Sequence, residues 1–414
     1  MDGDDLPLRT AAAPAGHPLV HASVVVKIGA AVGPPRGGLG ISHMPYLHDL
    51  RTRARAVALA AVVAAFAPAA ASAEEHHHGS DSDWLFFLTG QERVRSDEDL
   101  APQKDFDYVS ADVLYSHSTG PFRMLAETFV SRSEVEVERA QFGWEFGENT
   151  LVWAGRFHQP SSAWNTQHHH GQYLQTAITR PNIEHWEDEG GLVPQHIAGV
   201  LLETRAAFGP TAGLTFSLGG GAAPVITDGA MSPIGVFKSN VGGHRASWSA
   251  RASLLPEQLG EDAIGIVAAR HDVNVRDAAV AALLGADDIG LDVLGGFVTL
   301  DRRDWRLQAT WYDIDVALNS GARTRHEHFG AGYLQAERAL PGSFRLYGRA
   351  ESSDKAGDSV YVTFQRREFE LRRKLVGVRW DLARNQALSL EAARATSLAG
   401  DFNEIRVQWS GVVP

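Results

Sequence analysis

The sequence predicts an all-β protein, a transmembrane antiparallel β-barrel of about 16 strands with a long inward-folded loop after strand 5. Three observations predict this fold. Short segments alternate apolar and polar residues with the period of a strand, every second connection between them is short, and residues 160–194 form one long stretch without alternation. No apolar run after residue 73 reaches the length of a spanning helix, so a membrane location requires a closed barrel.

The beginning of the chain predicts export. After Met44, three arginines precede an apolar run over residues 56–67, and Ala71-Ser72-Ala73 follows. A charged region, a short apolar core and a small-residue cleavage site make up a signal peptide, so we predict a signal peptide over residues 44–73. Residues 1–43 are then an over-extended gene start. The alternative, a membrane anchor, is disfavoured because the apolar run is too short to span a bilayer comfortably.

We divide the mature protein into a short His-rich segment over residues 74–83 and a barrel over residues 84–414. Its composition limits the classes of function that it can have. The chain has no Cys, so it uses neither disulfides nor thiol chemistry. Six of the 38 Lys and Arg residues and four of the 50 Asp and Glu residues precede Glu74, which leaves 32 against 46 and a formal charge of −14. Nucleic-acid partners usually require a basic surplus, so none is predicted.

Alternation defines the predicted strands. Ala212, Leu214, Phe216 and Leu218 share one face of their segment, and small polar residues occupy the other, which is strand geometry. The predicted strands are residues 84–94, 106–116, 122–131, 135–146, 151–158, 196–206, 211–220, 245–254, 263–272, 289–300, 305–313, 329–340, 344–351, 371–382, 387–396 and 403–412.

The connections between these strands sort into two kinds. Long ones are predicted at residues 95–105, 160–194, 222–244, 273–288, 318–328 and 352–370, and short turns lie between them. A soluble sandwich or propeller has no reason to place long and short connections at opposite ends. An outer-membrane barrel does, with short periplasmic turns, an even strand number and both termini in the periplasm. The predicted location is therefore the cell outer membrane, after signal-peptide cleavage.

A closed barrel of sixteen strands is too wide for side chains to fill, so an aqueous channel remains. The polar strand faces then line water, and ten arginines on them form a predicted pore wall that attracts anions. The alternative for each arginine is that it pairs across strands and only solvates the wet face. This arginine wall consists of Arg123, Arg139, Arg156, Arg205, Arg251, Arg306, Arg345, Arg349, Arg379 and Arg406.

The long loop over residues 160–194 is rich in Trp, His and acidic residues, and we predict that it constricts the pore. Four carboxylates are expected to face the arginine wall, or else to lie exposed outside the cell. Three consecutive histidines supply hydrogen bonds or charge that changes near pH ~6.5. Binding of a divalent transition metal by these histidines, with His158, His185 and His196 nearby, is the alternative; we disfavour it and predict no metal site, because no HxH or HxxxH spacing fixes two rings on one face. The predicted constriction residues are Glu184, Glu187, Asp188, Glu189, His168, His169 and His170.

Sixteen strands with a long loop after the fifth resemble the Gram-negative outer-membrane porins, whose equivalent loop folds into the lumen. The closing segment Phe402-Asn403-Glu404-Ile405-Arg406-Val407-Gln408-Trp409-Ser410-Gly411-Val412-Val413-Pro414 is similar to a porin C-terminal strand, although it ends in Pro instead of an aromatic residue. Leu151-Val152-Trp153-Ala154-Gly155-Arg156-Phe157-His158-Gln159-Pro160 is similar to the strand that enters the long loop of phosphate-selective and related specific porins.

The resemblance implies passive diffusion of small hydrophilic solutes or ions, to which the arginine wall adds an anion preference. It also implies contact with outer-membrane lipid, a homotrimer, and neither a cofactor nor catalytic residues. A structural or adhesive barrel is the alternative function, and an outer-membrane hydrolase is a weaker one. Gly357-Asp358-Ser359-Val360 is similar to the start of a GDSL-type hydrolase motif but precedes a strand, without the strand-to-helix context that such motifs require. His271 or His326, at loop bases, would be the candidate bases.

Overall fold

The structure is a computed structural model that describes residues 23–24, 81–96, 105–132, 135–168, 172–185, 191–227, 229–232, 234, 243–257 and 260–413. The predicted signal peptide lies outside the described residues. Of the predicted over-extended start, only Ser23–Val24 is described, and it pairs in parallel with Val137.

Sixteen antiparallel strands form one closed barrel, as the alternation predicts. Each strand pairs with the next, and the last pairs with the first, with Ser410 opposite Thr89. The strands are β1 Asp81–Arg95, β2 Asp105–Thr119, β3 Phe122–Ser131, β4 Val135–Phe146, β5 Thr150–His158, β6 His196–Phe208, β7 Ala212–Ala222, β8 Ala246–Leu255, β9 Ala263–Val275, β10 Asp288–Asp301, β11 Trp305–Ser320, β12 Arg323–Leu340, β13 Phe344–Asp354, β14 Glu370–Ala383, β15 Gln386–Ser397 and β16 Gly400–Val413.

The two faces of the strands differ in polarity. On β11, Trp305 and Trp311 are 39% and 42% exposed, whereas Gln308 and Thr310, on the opposite face, are buried. An apolar outer face and a polar inner face are the arrangement of a barrel in a membrane, and the reverse of a soluble one. The soluble all-β alternative is therefore disfavoured.

Aromatic side chains mark the end of the barrel that carries the short turns. Trp84, Trp144 and Trp305 are exposed there, and Phe344 stacks on Trp380 with ring centroids 5.5 Å apart. Aromatic residues gather at the boundary between hydrocarbon and water because their rings are apolar and their edges tolerate polar neighbours. This ring of aromatic residues indicates where the membrane surface lies.

Short elements occupy the connections. A hairpin joins Val225–Thr227 to Ala230–Ser232, and the helices are α1 Ala163–Gln167, α2 Ala278–Leu284 and α3 Val360–Gln365, with 3-10 turns at Asn182–His185 and Ala356–Asp358. Ser162 caps α1 by accepting a hydrogen bond from the Trp164 N–H. Among the described residues, no helix is long and apolar enough to cross a membrane.

Several strand ends differ from those predicted from alternation, and the largest differences occur at one connection. The connection predicted over residues 318–328 is a tight turn, because β11 runs to Ser320 and β12 begins at Arg323, with Gly321 in the left-handed region at φ 58°. Both strands continue past the apolar belt. There the alternation of β11 is reversed, with Ile314 and Val316 buried and Asp313 and Asp315 exposed, and Arg323 to His328 of β12 show none. The barrel likewise begins at Asp81, ahead of the predicted Trp84.

One part of the inner face is apolar. Ile314, Val316 and Phe329 lie on the same side of β11 and β12 as the buried Tyr312, and they form a cluster with Trp164 and Ile183 of the long loop. Burying large apolar side chains stabilises such a contact by about 1.5–3 kcal/mol for each. This apolar cluster therefore fastens the first and last parts of the loop to the wall.

Candidate functional site

The middle of the long loop is hydrogen-bonded to the polar face of β13 and β15. The Thr179 hydroxyl donates to Glu391 at 2.6 Å, and the Ile178 N–H donates to the same carboxylate at 3.1 Å. Arg349 donates to the Thr179 carbonyl at 2.7 Å and also contacts its hydroxyl at 2.7 Å. Charged partners make these bonds stronger than neutral ones.

Further hydrogen bonds hold the loop to the wall nearer the end of the barrel that carries the short turns. Arg379 on β14 donates to the carbonyls of Tyr173 and Gln175 at 2.5 and 2.7 Å, and Thr176 donates to Glu337 on β12 at 2.6 Å. The Tyr173 hydroxyl donates to the carbonyl of Arg384 at 2.6 Å. Burial raises the pKa of Tyr173, so its phenol keeps the proton that this bond requires.

Glu184 does not face the arginine wall. It is fully buried, and its carboxylate accepts hydrogen bonds from Ser162 at 2.7 Å, Asn165 at 3.0 Å and Tyr312 at 3.4 Å. Ile183 packs into the apolar cluster, which turns the neighbouring Glu184 toward the start of the loop. A buried carboxylate is tolerated only with such donors, so this residue joins the two ends of the loop instead of lining the conduit.

The other predicted constriction residues are only partly described. His168 is buried, its N–H caps α1 by donating to the Trp164 carbonyl at 2.8 Å, and its ring lies edge-on to Trp164 with centroids 6.1 Å apart. His169, His170, Glu187, Asp188 and Glu189 lie outside the described residues. Their roles in the constriction stay predictions.

Most arginines of the predicted wall pair with a carboxylate, which is the alternative that the sequence left open for each. Eight of the ten have such a partner within 4 Å. The pairs are Arg123 with Glu145, Arg139 with Glu127, Arg156 with Glu136, Arg306 with Asp301 and Glu261, Arg345 with Glu337, Arg349 with Glu351, Arg379 with Asp381, and Arg406 with Glu404. Paired charges of opposite sign largely cancel at a distance, so the number of arginines alone overstates the positive field.

The remaining two arginines differ in their surroundings. Arg251 on β8 donates to the Thr166 hydroxyl at 3.0 Å and lies over the Phe297 ring at 4.8 Å, so it supports the start of the long loop. Arg205 is exposed near the end of β6, beside the short turn that follows this strand. Only Arg205 of these two is accessible to a passing solute.

Four arginines surround Glu404 on β16, of which only Arg406 belongs to the predicted wall. Arg373 and Arg406 each lie 2.7 Å from its Oε1 atom, and Arg95 and Arg93 lie 3.3 and 3.9 Å from its Oε2 atom. Arg95 also pairs with Glu368, and Arg373 with Glu370, at 3.0 and 2.8 Å. Arg93 and Arg95 lie two residues apart near the end of β1 and therefore share one face of the strand. This spacing could have indicated the cluster from the sequence.

The candidate hydrolase residues have structural contacts. Ser359 caps α3 by accepting from the Val362 N–H at 3.1 Å, and it donates to Glu327 at 2.7 Å. His271 is fully buried and forms a hydrogen bond with the Ser247 hydroxyl. Burial keeps both Ser359 and His271 from a substrate in this arrangement.

No family model and no curated protein matches this chain. Solved structures do. An anion-selective porin from Comamonas acidovorans has a TM-score of 0.54 at 9% identity, covering 81% of this chain and 100% of that one. OmpF of Salmonella typhi in complex with daunomycin has a TM-score of 0.52 at 12% identity, covering 82% and 100%. OmpT, an outer membrane protein of Vibrio cholerae, has a TM-score of 0.51 at 8% identity, covering 83% and 100%.

The chain has the fold of the outer-membrane porins. Identities this low show the fold and carry no residue roles, so the site rests on the contacts described above. The porin fold agrees with the apolar outer face and the aromatic ring, and together they support a location in the outer membrane.

Proposed function

We propose that this protein is an outer-membrane porin through which small hydrophilic solutes and ions diffuse passively. The observation that carries the proposal is the closed barrel of sixteen strands with an apolar outer face and a polar inner one. A barrel of this size encloses more space than its own inward side chains fill. The protein acts by shape and charge, without catalysis or a cofactor.

The long loop is proposed to narrow the conduit. Its described residues donate to or accept from side chains of β8 and β11–β15, for example at Arg251, Arg349, Arg379 and Glu391. We therefore place the open path between the loop and the opposite wall, formed by β16 and β1–β4. A loop held by charged hydrogen bonds stays in place, so the opening has a defined size.

An anion preference is part of the proposal, and the exposure of two arginines in the cluster around Glu404 supports it. Arg93 and Arg406 are cross-strand neighbours on β1 and β16, on the side of the wall that faces the proposed path. Their side chains are 18% exposed, whereas the Glu404 side chain is 1% exposed. A passing ion therefore meets guanidinium groups before the carboxylate, which favours anions.

We also propose a homotrimer in contact with outer-membrane lipid, with no nucleic-acid partner, as the resemblance implies. Export by the signal peptide over residues 44–73 belongs to the same proposal. N-terminal sequencing of the protein from outer-membrane fractions tests the cleavage after Ala73. A structural or adhesive barrel would share the location and the fold, so only transport separates it from a porin.

Solute uptake into proteoliposomes tests the function. The purified protein is inserted into vesicles, and swelling is followed with neutral sugars of increasing size. A porin produces swelling that falls as the sugar becomes larger. A correctly folded barrel, verified by its heat-modifiable mobility on a gel, that produces no swelling would favour the structural alternative.

A further inference from the structure

Three buried side chains with metal-ligating groups meet where the long loop leaves the barrel. His158 is the last residue of β5 and His196 the first of β6, and the two are directly opposite in the strand register. Glu138 lies on the adjacent β4. The pairing of β5 with β6 brings together two histidines that are far apart in sequence.

The distances between these side chains suit one shared metal ion. The Nε2 atom of His196 lies 2.7 Å from the Glu138 Oε2 atom, and that of His158 lies 3.7 Å from the same oxygen. One potential ligand atom from each residue lies within 4.8 Å of the others. Tetrahedral zinc with bonds of about 2.0–2.1 Å separates its ligand atoms by about 3.3 Å, and the distances of 2.7 and 3.7 Å lie on either side of this spacing.

We propose that Glu138, His158 and His196 bind one divalent transition-metal ion of the zinc type. Two imidazoles and one carboxylate are a ligand set that zinc and its neighbours accept, with water in the remaining position.

A plain hydrogen bond between Glu138 and His196 explains less of the geometry. It accounts for the 2.7 Å contact, but not for the second imidazole, whose Nε2 atom is directed to the same oxygen from 3.7 Å. The two rings stand edge to face with centroids 4.7 Å apart. Convergence of two Nε2 atoms on one carboxylate oxygen is what a common metal requires.

The consequence concerns the loop. Residues 159–195 lie between the two histidines, and the Gln159 N–H already donates to the Gln195 carbonyl at 2.9 Å. A metal bound to both histidines and to β4 would close the base of the loop as a clamp. The metal would fix only the two ends of the loop. The hydrogen bonds between Thr179 and Arg349 would still hold its middle against the wall.

The test is metal binding by the purified, metal-stripped protein in detergent. The chain also carries runs of consecutive histidines at residues 76–78 and 168–170, so all six are first replaced by Gln to remove competing sites. Co²⁺ titration followed by optical absorption should then show one ion per chain with the intense visible bands of a four-coordinate site. Zn²⁺ should displace it.

His158→Gln and His196→Gln should each weaken Co²⁺ binding by more than about 100-fold, since loss of even a supporting group costs ten- to a hundredfold. Glu138→Gln keeps the size of the side chain and should also weaken binding. The matched control, His326→Gln with His328→Gln on β12, should leave it unchanged. Absence of binding by the parent, or binding that survives in folded His158→Gln and His196→Gln, would overturn the proposal. If either histidine variant fails to form the heat-modifiable barrel, Glu138→Gln decides in its place.

Discussion

The carboxylate of Glu391 accepts a hydrogen bond from the Thr179 hydroxyl at 2.6 Å, which joins the wall at β15 to the middle of the long loop. The same carboxylate accepts from the Ile178 N–H at 3.1 Å and from the Tyr347 hydroxyl at 3.2 Å. Because Glu391 is almost fully buried, these bonds are shielded from water. One buried carboxylate therefore holds the middle of the loop through several hydrogen bonds.

Glu391→Ala should loosen the loop and raise the single-channel conductance. Hydrogen bonds to a charged group contribute about 1.5–3 kcal/mol each, and this substitution removes several at once. Conductance noise should also rise, since the loop then moves within the path. The control is Asp401→Asn, at an exposed carboxylate on β16. Unchanged conductance and noise in Glu391→Ala would contradict the proposed constriction.

Glu184→Ala should lower stability and leave ion selectivity unchanged. The substitution removes the acceptor of the buried Ser162 and Asn165 donors, which costs about 2 kcal/mol or more. Denaturant unfolding and reversal potentials are measured on the same preparation. A change of selectivity with no loss of stability would mean that this carboxylate lines the conduit after all.

The turn between β8 and β9 should make stability depend on pH. Burial acts to raise the pKa of Asp262, but hydrogen bonds from the Arg302 guanidinium and the Asp301 N–H outweigh it and hold the pKa below its ordinary value. A depressed carboxylate pKa stabilises the fold above the unfolded pKa of about 3.9. This stabilisation disappears as the pH falls through the folded pKa.

Asp262→Asn should therefore unfold at a lower temperature than the parent near neutral pH, and the difference should shrink as the pH falls below about 3.9 and then through the lower folded pKa. Thermal melts across this range measure it. Asp304→Asn, at an exposed carboxylate in the next short turn, is the control and should follow the parent. A difference that persists undiminished in acid would contradict the role of the Asp262 charge.

Replacing both Arg93 and Arg406 by Gln should reduce the anion preference. These two side chains are the more exposed members of the cluster around Glu404, and replacing both removes two positive charges from the side of the wall that faces the proposed path. Reversal potentials across a salt gradient should shift toward cations. Arg394→Gln, at an exposed side chain of β15, is the control. If the double variant has the same reversal potential as the parent, these two arginines do not produce an anion preference.

The strands could be predicted from sequence because lipid on one side and water on the other impose alternation, as Trp305 to Tyr312 illustrate. The start of β12 could not, since Arg323 to His328 lie past the apolar belt and show no alternation. Local patterns fail where the environment on both faces is the same.

Site residues were harder to predict, because the sequence does not say which wall a loop carboxylate meets. Glu184 was expected to face arginines and instead binds Ser162 and Tyr312. His158 and His196 become neighbours only through the register of β5 with β6, which no spacing along the chain reveals. All ten arginines of the wall were expected on the polar face, but Arg156 lies on the same side of β5 as the exposed Ala154. The carboxylate partners of the arginines depend on cross-strand pairing.

Planar-bilayer recording shows whether the barrel conducts ions. The purified protein, verified as a folded barrel, is added to one side of a lipid bilayer, and current is recorded at fixed voltage and then across a salt gradient. The porin account predicts discrete, stepwise increases of conductance that scale with salt concentration, with a reversal potential of the sign expected for anions. Bilayers that stay silent although the folded protein has inserted would contradict it.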